Sequence, residues 1–253
     1  MAQQSQGASI RQHEVSRRAA RAQRILDAAS ALILRWGYQK TTLDDIAKQA
    51  GVAKATLYLH WKTREELFIA LIKREKLEMA EEIKQRITGD PTSATLRGVL
   101  KHSALALMKR PLLKAVLLRD MEVLGKLAHR EQSSATYAEQ LTGFTTYLEL
   151  LREQDLVRTD LSLRAQVYMF SAIFTGFFLV APLMPDEFTL SDEELAELMA
   201  ETVHCTFEPG RAVPSDALQA ASHTFIQYLD RAMARAQEQL QQEGLPMHTP
   251  ERS

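Results

Sequence analysis

The chain has 253 residues, of which 45% are apolar and 25% are charged, and its formal net charge is −1. It is long enough for one large or two small cores, and its scarcity of Gly (10) and Pro (8) favours an all-helical protein. The single cysteine, Cys205, excludes an internal disulfide. Because no export leader opens the chain, we expect a cytoplasmic location.

The charge is unevenly distributed. Residues 1–64 carry eleven basic and four acidic side chains, a net charge of +7, which leaves −8 for the remainder. A basic head on an acidic body is the electrostatic pattern expected of a protein that binds a polyanion through its head. A chance fluctuation across a solvated surface is the alternative explanation.

The first predicted element is an arm. Residues 1–20 have almost no large apolar groups, so we expect them to be disordered. From Arg21 the pattern becomes that of an amphipathic helix, which Gly37 ends. Its apolar positions are Ile25, Ala29, Leu32, Ile33 and Trp36.

Two predicted helices begin with a capping box. The second helix opens at Thr42, with Asp45 three residues later, and stops at Gly51. A short third helix runs from Ala53 to about Trp61. The fourth opens at Thr63, has Glu66 at the third position, and continues until Gly89 and Pro91. Six further helices are predicted at 92–109, 111–128, 133–154, 162–181, 191–207 and 215–242.

The predicted helix at 162–181 contains a run, Val167–Val180, that is apolar on every side. A helix of that run is about 21 Å long, shorter than a bilayer core of about 30 Å, so we do not expect a membrane span. We expect one face to pack in its own domain and another against a second subunit or a ligand.

Residues 41–68 (TTLDDIAKQAGVAKATLYLHWKTREELF) satisfy the requirements of a helix-turn-helix. Such a motif needs apolar residues on the first helix, a Gly with positive φ at the turn, and apolar residues that fix the second helix. Gly51 provides the turn. The apolar positions are Ile46, Ala47 and Ala50 on the first helix and Val52, Leu57 and Trp61 around the second.

This segment resembles the TetR family of the TetR/AcrR type, over about residues 21–72. The resemblance lies in a Thr-capped helix, Ile-Ala, an Ala-Gly-Val turn, Leu-Tyr-x-His-aromatic and Lys-Thr-Arg-Glu-Glu-Leu-Phe. Two residues depart from the family pattern. Ala53 stands where a capping Ser is frequent, and Trp61 stands where Phe is usual.

The resemblance implies that the helix from Ala53 to His60 enters the major groove of DNA. Lys54 then reads a guanine edge, Ala55 contacts a thymine methyl, and Thr56 contacts a base or a phosphate. Five residues are expected to contact phosphates: Thr41, Thr42, Tyr58, His60 and Lys62. Tyr58 and His60 have packing roles as alternatives, and Arg17, Arg18 and Arg21 either contact DNA or are simply solvated.

The resemblance also implies an all-α fold in which the three-helix helix-turn-helix domain precedes a larger helical ligand-binding and dimerisation domain. The expected divisions are a flexible basic arm at 1–20, a DNA-binding domain at 21–66, an effector-binding and dimerisation domain at 67–243, and a tail at 244–253. The expected partners are double-stranded DNA, a second copy of the chain and a small, largely apolar effector. No membrane partner is expected.

The larger domain has many aromatic and Met residues. Seven candidates to line an apolar pocket are Met108, Leu113, Met121, Phe144, Tyr147, Tyr168 and Phe174. For each one, ordinary core packing is the alternative. Five candidates for the dimer interface, on the helices at 162–181 and 191–207, are Phe170, Phe177, Phe178, Leu195 and Met199.

The sequence has no pattern typical of an enzyme, and we expect no cofactor. Neither of the common glycine-rich phosphate-binding motifs is present. Seven scattered histidines lack metal-ligand spacing, so no metal site is expected: His13, His60, His102, His129, His204, His223 and His248. The predicted function is a ligand-responsive, homodimeric repressor of a palindromic operator. The alternatives are an activator, a ligand-independent global regulator, or a helical protein-interaction module.

Overall fold

The computed structural model describes residues 2–124, 135–210 and 214–242. The described residues form α-helices, short 3-10 turns and connecting loops, with no strand among them, which confirms the all-α prediction. The helices are α1 (Ala2–Trp36), α2 (Leu43–Ala50), α3 (Lys54–Tyr58), α4 (Arg64–Gly89), α5 (Leu96–Met108), α6 (Pro111–Leu118), α7 (Met121–Leu124), α8 (Ala135–Glu153), α9 (Leu163–Val180), α10 (Asp192–Phe207) and α11 (Ser215–Gln242).

The chain divides into two compact units. The first unit comprises residues 1–75, 122–125 and 234–253. The second unit comprises residues 76–121 and 126–233. The expected tail at 244–253 and the expected helix start at residue 133 lie outside the described residues.

Helix α1 is the main difference between prediction and structure in the first unit. The expected disordered arm at 1–20 is instead helical from Ala2, continuous with the amphipathic segment that ends at Trp36. Ala, Gln and Arg dominate this extension, and they are good helix formers with no proline to interrupt them. Its last turn already packs, since Ala19 is buried.

The turn after α1 is fixed by the segment around α7. Gly37 has φ +78°, which ends the helix as predicted. The Tyr38 amide then donates to the Val123 carbonyl at 2.7 Å. A side chain at Gly37 is excluded also by space, because a Cβ there lies 2.7 Å from the Glu122 carbonyl oxygen.

The prediction of one continuous helix at 111–128 is wrong, because the structure has two separate helices there. Helix α6 ends at Leu118, where Arg119 takes a left-handed conformation with φ 52°. The Arg119 amide closes the helix by donating to the Ala115 and Val116 carbonyls. The separate helix α7 therefore starts at Met121, and residues 125–128 lie outside the described part of the chain.

The core of the second unit is built around α5 and α10, which pack along their lengths. The Glu208 carboxylate, at the end of α10, accepts a hydrogen bond from the Arg97 amide in the first turn of α5 at 2.7 Å. The fully buried Tyr147 of α8 donates its hydroxyl to the Ala94 carbonyl. Burial raises the pKa of Tyr147, so this hydroxyl remains a donor.

Helix α9 begins four residues before the apolar run Val167–Val180 and is therefore longer than that run. Its 18 residues span about 27 Å, and the segment Leu163–Leu183 is long and apolar enough to cross a membrane. The length of Val167–Val180 alone therefore does not exclude a span, and the absence of a membrane partner stays a prediction. Gln166 and Phe178 are buried, most other residues of α9 are half-buried, and Tyr168, Leu179 and Val180 are exposed.

Candidate nucleic-acid interface

The start of α2 is held by the capping box that the sequence predicts. The Thr42 hydroxyl accepts from the Asp45 amide at 3.2 Å, and the Asp45 carboxylate accepts from the Thr42 hydroxyl at 2.6 Å and from the Thr42 amide at 3.2 Å. These hydrogen bonds lower the pKa of Asp45. The box satisfies the amides that a helix start leaves without partners.

Gly51 makes the turn between α2 and α3. Its φ is +65°, as predicted for this position, and its amide donates to the Ala47 and Lys48 carbonyls. Helix α3 then begins after Ala53, which has no side-chain capping bond. Ala53 is exposed, so the missing cap noted in the sequence leaves this helix start open to solvent or a ligand.

The other side of α3 is anchored in the first unit. Leu57 and Trp61 are buried, and the Val52 amide donates to the Ala47 carbonyl at 3.0 Å. Two of the predicted buried positions on α2, Ile46 and Ala47, are also in the core, whereas Ala50 is half-buried. With one side fixed in the core, α3 presents its opposite side to solvent.

The exposed side of α3 consists of Lys54, Ala55 and Tyr58, while Thr56 is half-buried. The Lys54 ammonium group lies 2.7 Å from the Asp44 carboxylate of α2. Hydrogen bonding to Asp44 raises the pKa of Lys54, so the amine is charged at neutral pH. Asp44 was not singled out from the sequence, although its position on α2, the first helix of the helix-turn-helix, was an available signal.

Thr41 is a correction among the predicted phosphate contacts. Its side chain is 0% exposed, and its hydroxyl donates to the Gly37 carbonyl at 3.0 Å. A hydroxyl enclosed in this way cannot reach a phosphate. Thr42 and Lys62 remain exposed.

Arg64, at the start of α4, was also missed. Its guanidinium donates to the Thr41 carbonyl at 2.7 Å and to the Tyr38 carbonyl at 3.1 Å, and it lies over the Tyr38 ring at 4.1 Å. One cation therefore holds the carbonyls of the loop between α1 and α2. The sequence gives no sign of this role, because Arg64 lies more than twenty residues from the loop carbonyls that it binds.

His60 follows α3 and is only 8% exposed. Its ring packs beside Trp61, with ring centroids 5.2 Å apart. Burial is the largest influence that lowers the pKa of His60, and the nearby charges of Arg18 and Arg21 act in the same direction. His60 is therefore neutral at neutral pH, and only the part of it that faces Arg17, Arg18 and Arg21 is open to a ligand.

The predicted pocket residues of the second unit fall into three groups. Leu113 and Tyr147 are buried in the core, and Met108 is half-buried. Tyr168 is 77% exposed and Met121 is mostly exposed, so neither lines an enclosed pocket as predicted. Their helices turn these side chains toward solvent.

Phe144 and Phe174 form the third group, an aromatic cluster with Phe170 and Phe178. The ring centroids of Phe144 and Phe170 are 4.5 Å apart, and those of Phe174 and Phe178 are 5.4 Å apart. All except Phe178 are half-buried. The cluster joins α8 to α9 and leaves aromatic surface accessible.

Two predicted interface residues are placed elsewhere. Phe178 is 0% exposed, with the Lys114 ammonium group 5.8 Å above its ring, and Met199 is buried in the core. A residue with no accessible surface cannot lose any on dimerisation, so both assignments are wrong. Phe170, Phe177 and Leu195 are half-buried and stay predictions.

Comparison with known proteins finds a family whose profile matches the segment described above. Residues 25–71 match the sequence profile of the bacterial regulatory proteins of the TetR family. The transcriptional regulator AcrR of Shigella flexneri is 28% identical over 178 residues, which are 68% of this chain and 82% of AcrR. The fatty acid metabolism regulator of Bacillus subtilis is 40% identical over 86 residues, which are 32% of this chain and 43% of that relative.

Solved structures share the fold. The structure of a SmeT–triclosan complex matches 78% of this chain and 98% of SmeT, with a TM-score of 0.59 and 21% identity. The profile match covers the segment that builds α2, the Gly51 turn and α3, where the sequence already resembled this family. Residues 25–71 therefore match the DNA-binding segment of the TetR family of bacterial regulatory proteins, and the protein is a DNA-binding transcriptional regulator.

Proposed function

We propose that the protein is a homodimeric repressor that reads a palindromic operator through α3 and releases it on binding a small, largely apolar effector. The observation that carries this proposal is the two-sided character of α3. Leu57 fixes one side in the core, while Lys54, Ala55 and Tyr58 project from the other. A short helix held in this way is suited to insertion into the major groove.

The reading residues are Lys54 and Ala55 at the start of α3. A Lys ammonium donates to guanine O6 and N7, and an Ala methyl contacts the thymine methyl. Thr56 contacts a base or a phosphate. In this proposal the exposed residues Thr42, Tyr58 and Lys62 contact phosphates, which fixes the register of the protein without reading sequence.

The dimer interface that we propose lies on α9 and α10. Large apolar side chains are exposed there, including Tyr168 and Leu179 on α9 and Leu198 on α10. Exposed apolar surface of this extent is typical of a protein contact. In a DNA-binding soluble protein, a second copy covers such a face and produces the two-fold symmetry of a palindrome.

Charge insertion tests the interface. We expect Leu179→Glu and Leu198→Glu to yield monomers in sedimentation velocity, because each places an unpaired charge in an apolar contact. Leu141→Glu is the matched control, since Leu141 is a similarly exposed leucine on α8. If all three variants keep the dimer mass and a native circular dichroism spectrum, α9 and α10 do not form the interface.

The effector site that we propose is the half-buried aromatic cluster of Phe144, Phe170 and Phe174. Accessible aromatic rings bind apolar molecules, and the structural relative SmeT has been solved with triclosan. An effector controls DNA binding only if it binds two conformations with different affinity. The test is a thermal-shift screen of apolar compounds, in which stabilisation should disappear in Phe144→Ala and the stabilising compounds should release the operator.

The sign of regulation is proposed from SmeT, which is described as the repressor of a multidrug efflux pump of Stenotrophomonas maltophilia. In vitro transcription from a promoter that carries the selected operator tests it. Addition of the protein should reduce transcript yield. An increase in yield would make the protein an activator.

A further inference from the structure

A cationic cleft lies in the first unit, beside the C-terminal end of α3. Its volume is about 360 Å³, and it is lined by Arg17, Arg18 and Arg21 of α1 and by Leu59 and His60. A single water needs only about 10–15 Å³ of such space, so the cleft admits a polyatomic group. Arg21 is three residues from Arg18 and four from Arg17, so its side chain lies beside both on the surface of α1.

The lining of the cleft favours an anion. Three of its five residues are arginines and none is acidic. Arg18 also donates to the Leu59 carbonyl at 3.4 Å, a contact that ties α1 to the end of α3. A guanidinium offers a planar fork of donors that matches the oxygens of a phosphate, and clustered arginines are most stable when an anion lies between them.

His60 lines the cleft with only a small part of its ring. More than nine-tenths of its surface is buried, and its Nδ1 atom, which has no hydrogen-bond partner within the described part of the chain, is itself enclosed. Burial together with Arg18 and Arg21 keeps the pKa of the ring low, so an anion in the cleft would remove part of the repulsion that disfavours the imidazolium form.

We propose that this cleft binds one phosphate of the DNA backbone and so clamps the duplex at the C-terminal end of α3. The proposal rests on the proposed function, in which α3 lies in the major groove. Phosphates border the groove on both sides, and the cleft borders the reading helix. Helical residues of α1 thus contribute a rigid anchor in the region where the sequence alone predicts a disordered arm.

Two charge-removing variants and one control test the clamp. Arg18→Gln and Arg21→Gln should each weaken binding to operator and to random duplex by the same factor and reduce the logarithmic salt slope by about one. Arg24→Gln removes the same charge from an exposed position of α1 outside the cleft, and it should change the slope much less. The measurement is fluorescence anisotropy at several salt concentrations, with folding checked by circular dichroism.

If Arg18→Gln and Arg21→Gln have the salt slope of the wild type, or lose no more affinity than Arg24→Gln, the clamp is wrong. That result leaves the proposed function intact, because wild-type binding to operator is measured in the same experiment. Failure of the wild type to bind any duplex would instead overturn the proposed function.

The second arm distinguishes DNA phosphate from a free anion. Inorganic phosphate is titrated into the full-length protein, and the His60 imidazole signals are followed by NMR. We expect a duplex to shift these signals at micromolar concentration and phosphate to do so only weakly. Tight binding of inorganic phosphate that Arg18→Gln abolishes, with DNA affinity unchanged, would assign the cleft to a free anion and overturn the proposal.

Discussion

The Lys54 ammonium group at the start of α3 lies 2.7 Å from the Asp44 carboxylate of α2. Both side chains are exposed, so this ion pair contributes little to stability. Its consequence lies in DNA binding, because a carboxylate stands beside the residue that we propose to read a base. The ion pair with Asp44 fixes the orientation of the Lys54 side chain, and the negative charge of Asp44 also repels DNA phosphates.

We therefore expect Asp44→Asn to raise affinity for random duplex more than affinity for operator. The salt slope should become steeper by up to about one, because a fixed negative charge has left the DNA-facing surface. Anisotropy titrations of both duplexes measure the change. A double-mutant cycle with Lys54→Ala should give a coupling different from zero. Unchanged affinities and zero coupling would show that Asp44 has no role in recognition.

Lys54→Ala and Tyr58→Phe separate base reading from phosphate holding. We expect Lys54→Ala to lower operator affinity by about 1–3 kcal/mol and to affect random duplex much less, since it removes a base contact. Tyr58→Phe should weaken both duplexes in parallel, since it removes a phosphate contact. A parallel loss for Lys54→Ala would identify Lys54 as a phosphate contact instead.

Thr41→Val and Thr42→Val differ because the first threonine is buried and the second is exposed. Thr41→Val should lower the free energy of unfolding by about 0.5–1.5 kcal/mol, since the Gly37 carbonyl loses a donor, and leave DNA affinity unchanged. Thr42→Val should destabilise the protein through loss of the cap, and it should also weaken operator and random duplex in parallel, because it removes a phosphate contact. Urea denaturation and anisotropy give the two readouts. Weaker binding of both duplexes by a folded Thr41→Val variant would restore Thr41 as a phosphate contact.

His60 makes stability depend on pH. Burial, with Arg18 and Arg21, lowers its pKa in the folded protein below the ordinary value of 6.5. As the pH falls below 6.5 the unfolded chain takes up a proton before the folded chain does, so stability is complete above that pH and declines below it. His102 acts in the same direction, through burial and the charges of Arg86 and Lys101.

We expect His60→Gln and His102→Gln each to flatten part of this acid-side decline. Thermal unfolding between about pH 5 and pH 7.5 provides the measurement. An acid-side slope identical in the wild type and both variants would show that neither histidine is responsible.

The sequence predicted the helix-turn-helix closely because its signals are local. Thr42, Asp45 and Gly51 act within one or two turns of their own position, through capping and positive φ, and the structure has them in those roles. The same applies to the start of α4, where Thr63 accepts from the Glu66 amide at 3.0 Å. Glu66 accepts from the Lys62 amide, one residue earlier than a complete capping box requires.

The errors concern properties that local patterns do not determine. Phe178 and its neighbours on α9 have the same chemistry, and only the packing of α9 within the second unit decides which ring is buried. Arg119 breaks a helix through a left-handed conformation that its residue type does not indicate. The long helix α1 arises from many weak propensities that together outweigh the polar composition of residues 1–20.

The central claim is that α3 reads a palindromic DNA sequence as part of a dimer. Selection of bound duplexes from a random pool by the full-length protein tests it most directly. We predict enrichment of an inverted repeat, with half-sites related by two-fold symmetry and preference at one symmetric pair of positions relaxed by Lys54→Ala. Recovery of duplexes with no shared sequence, by folded protein at physiological salt, would contradict the account.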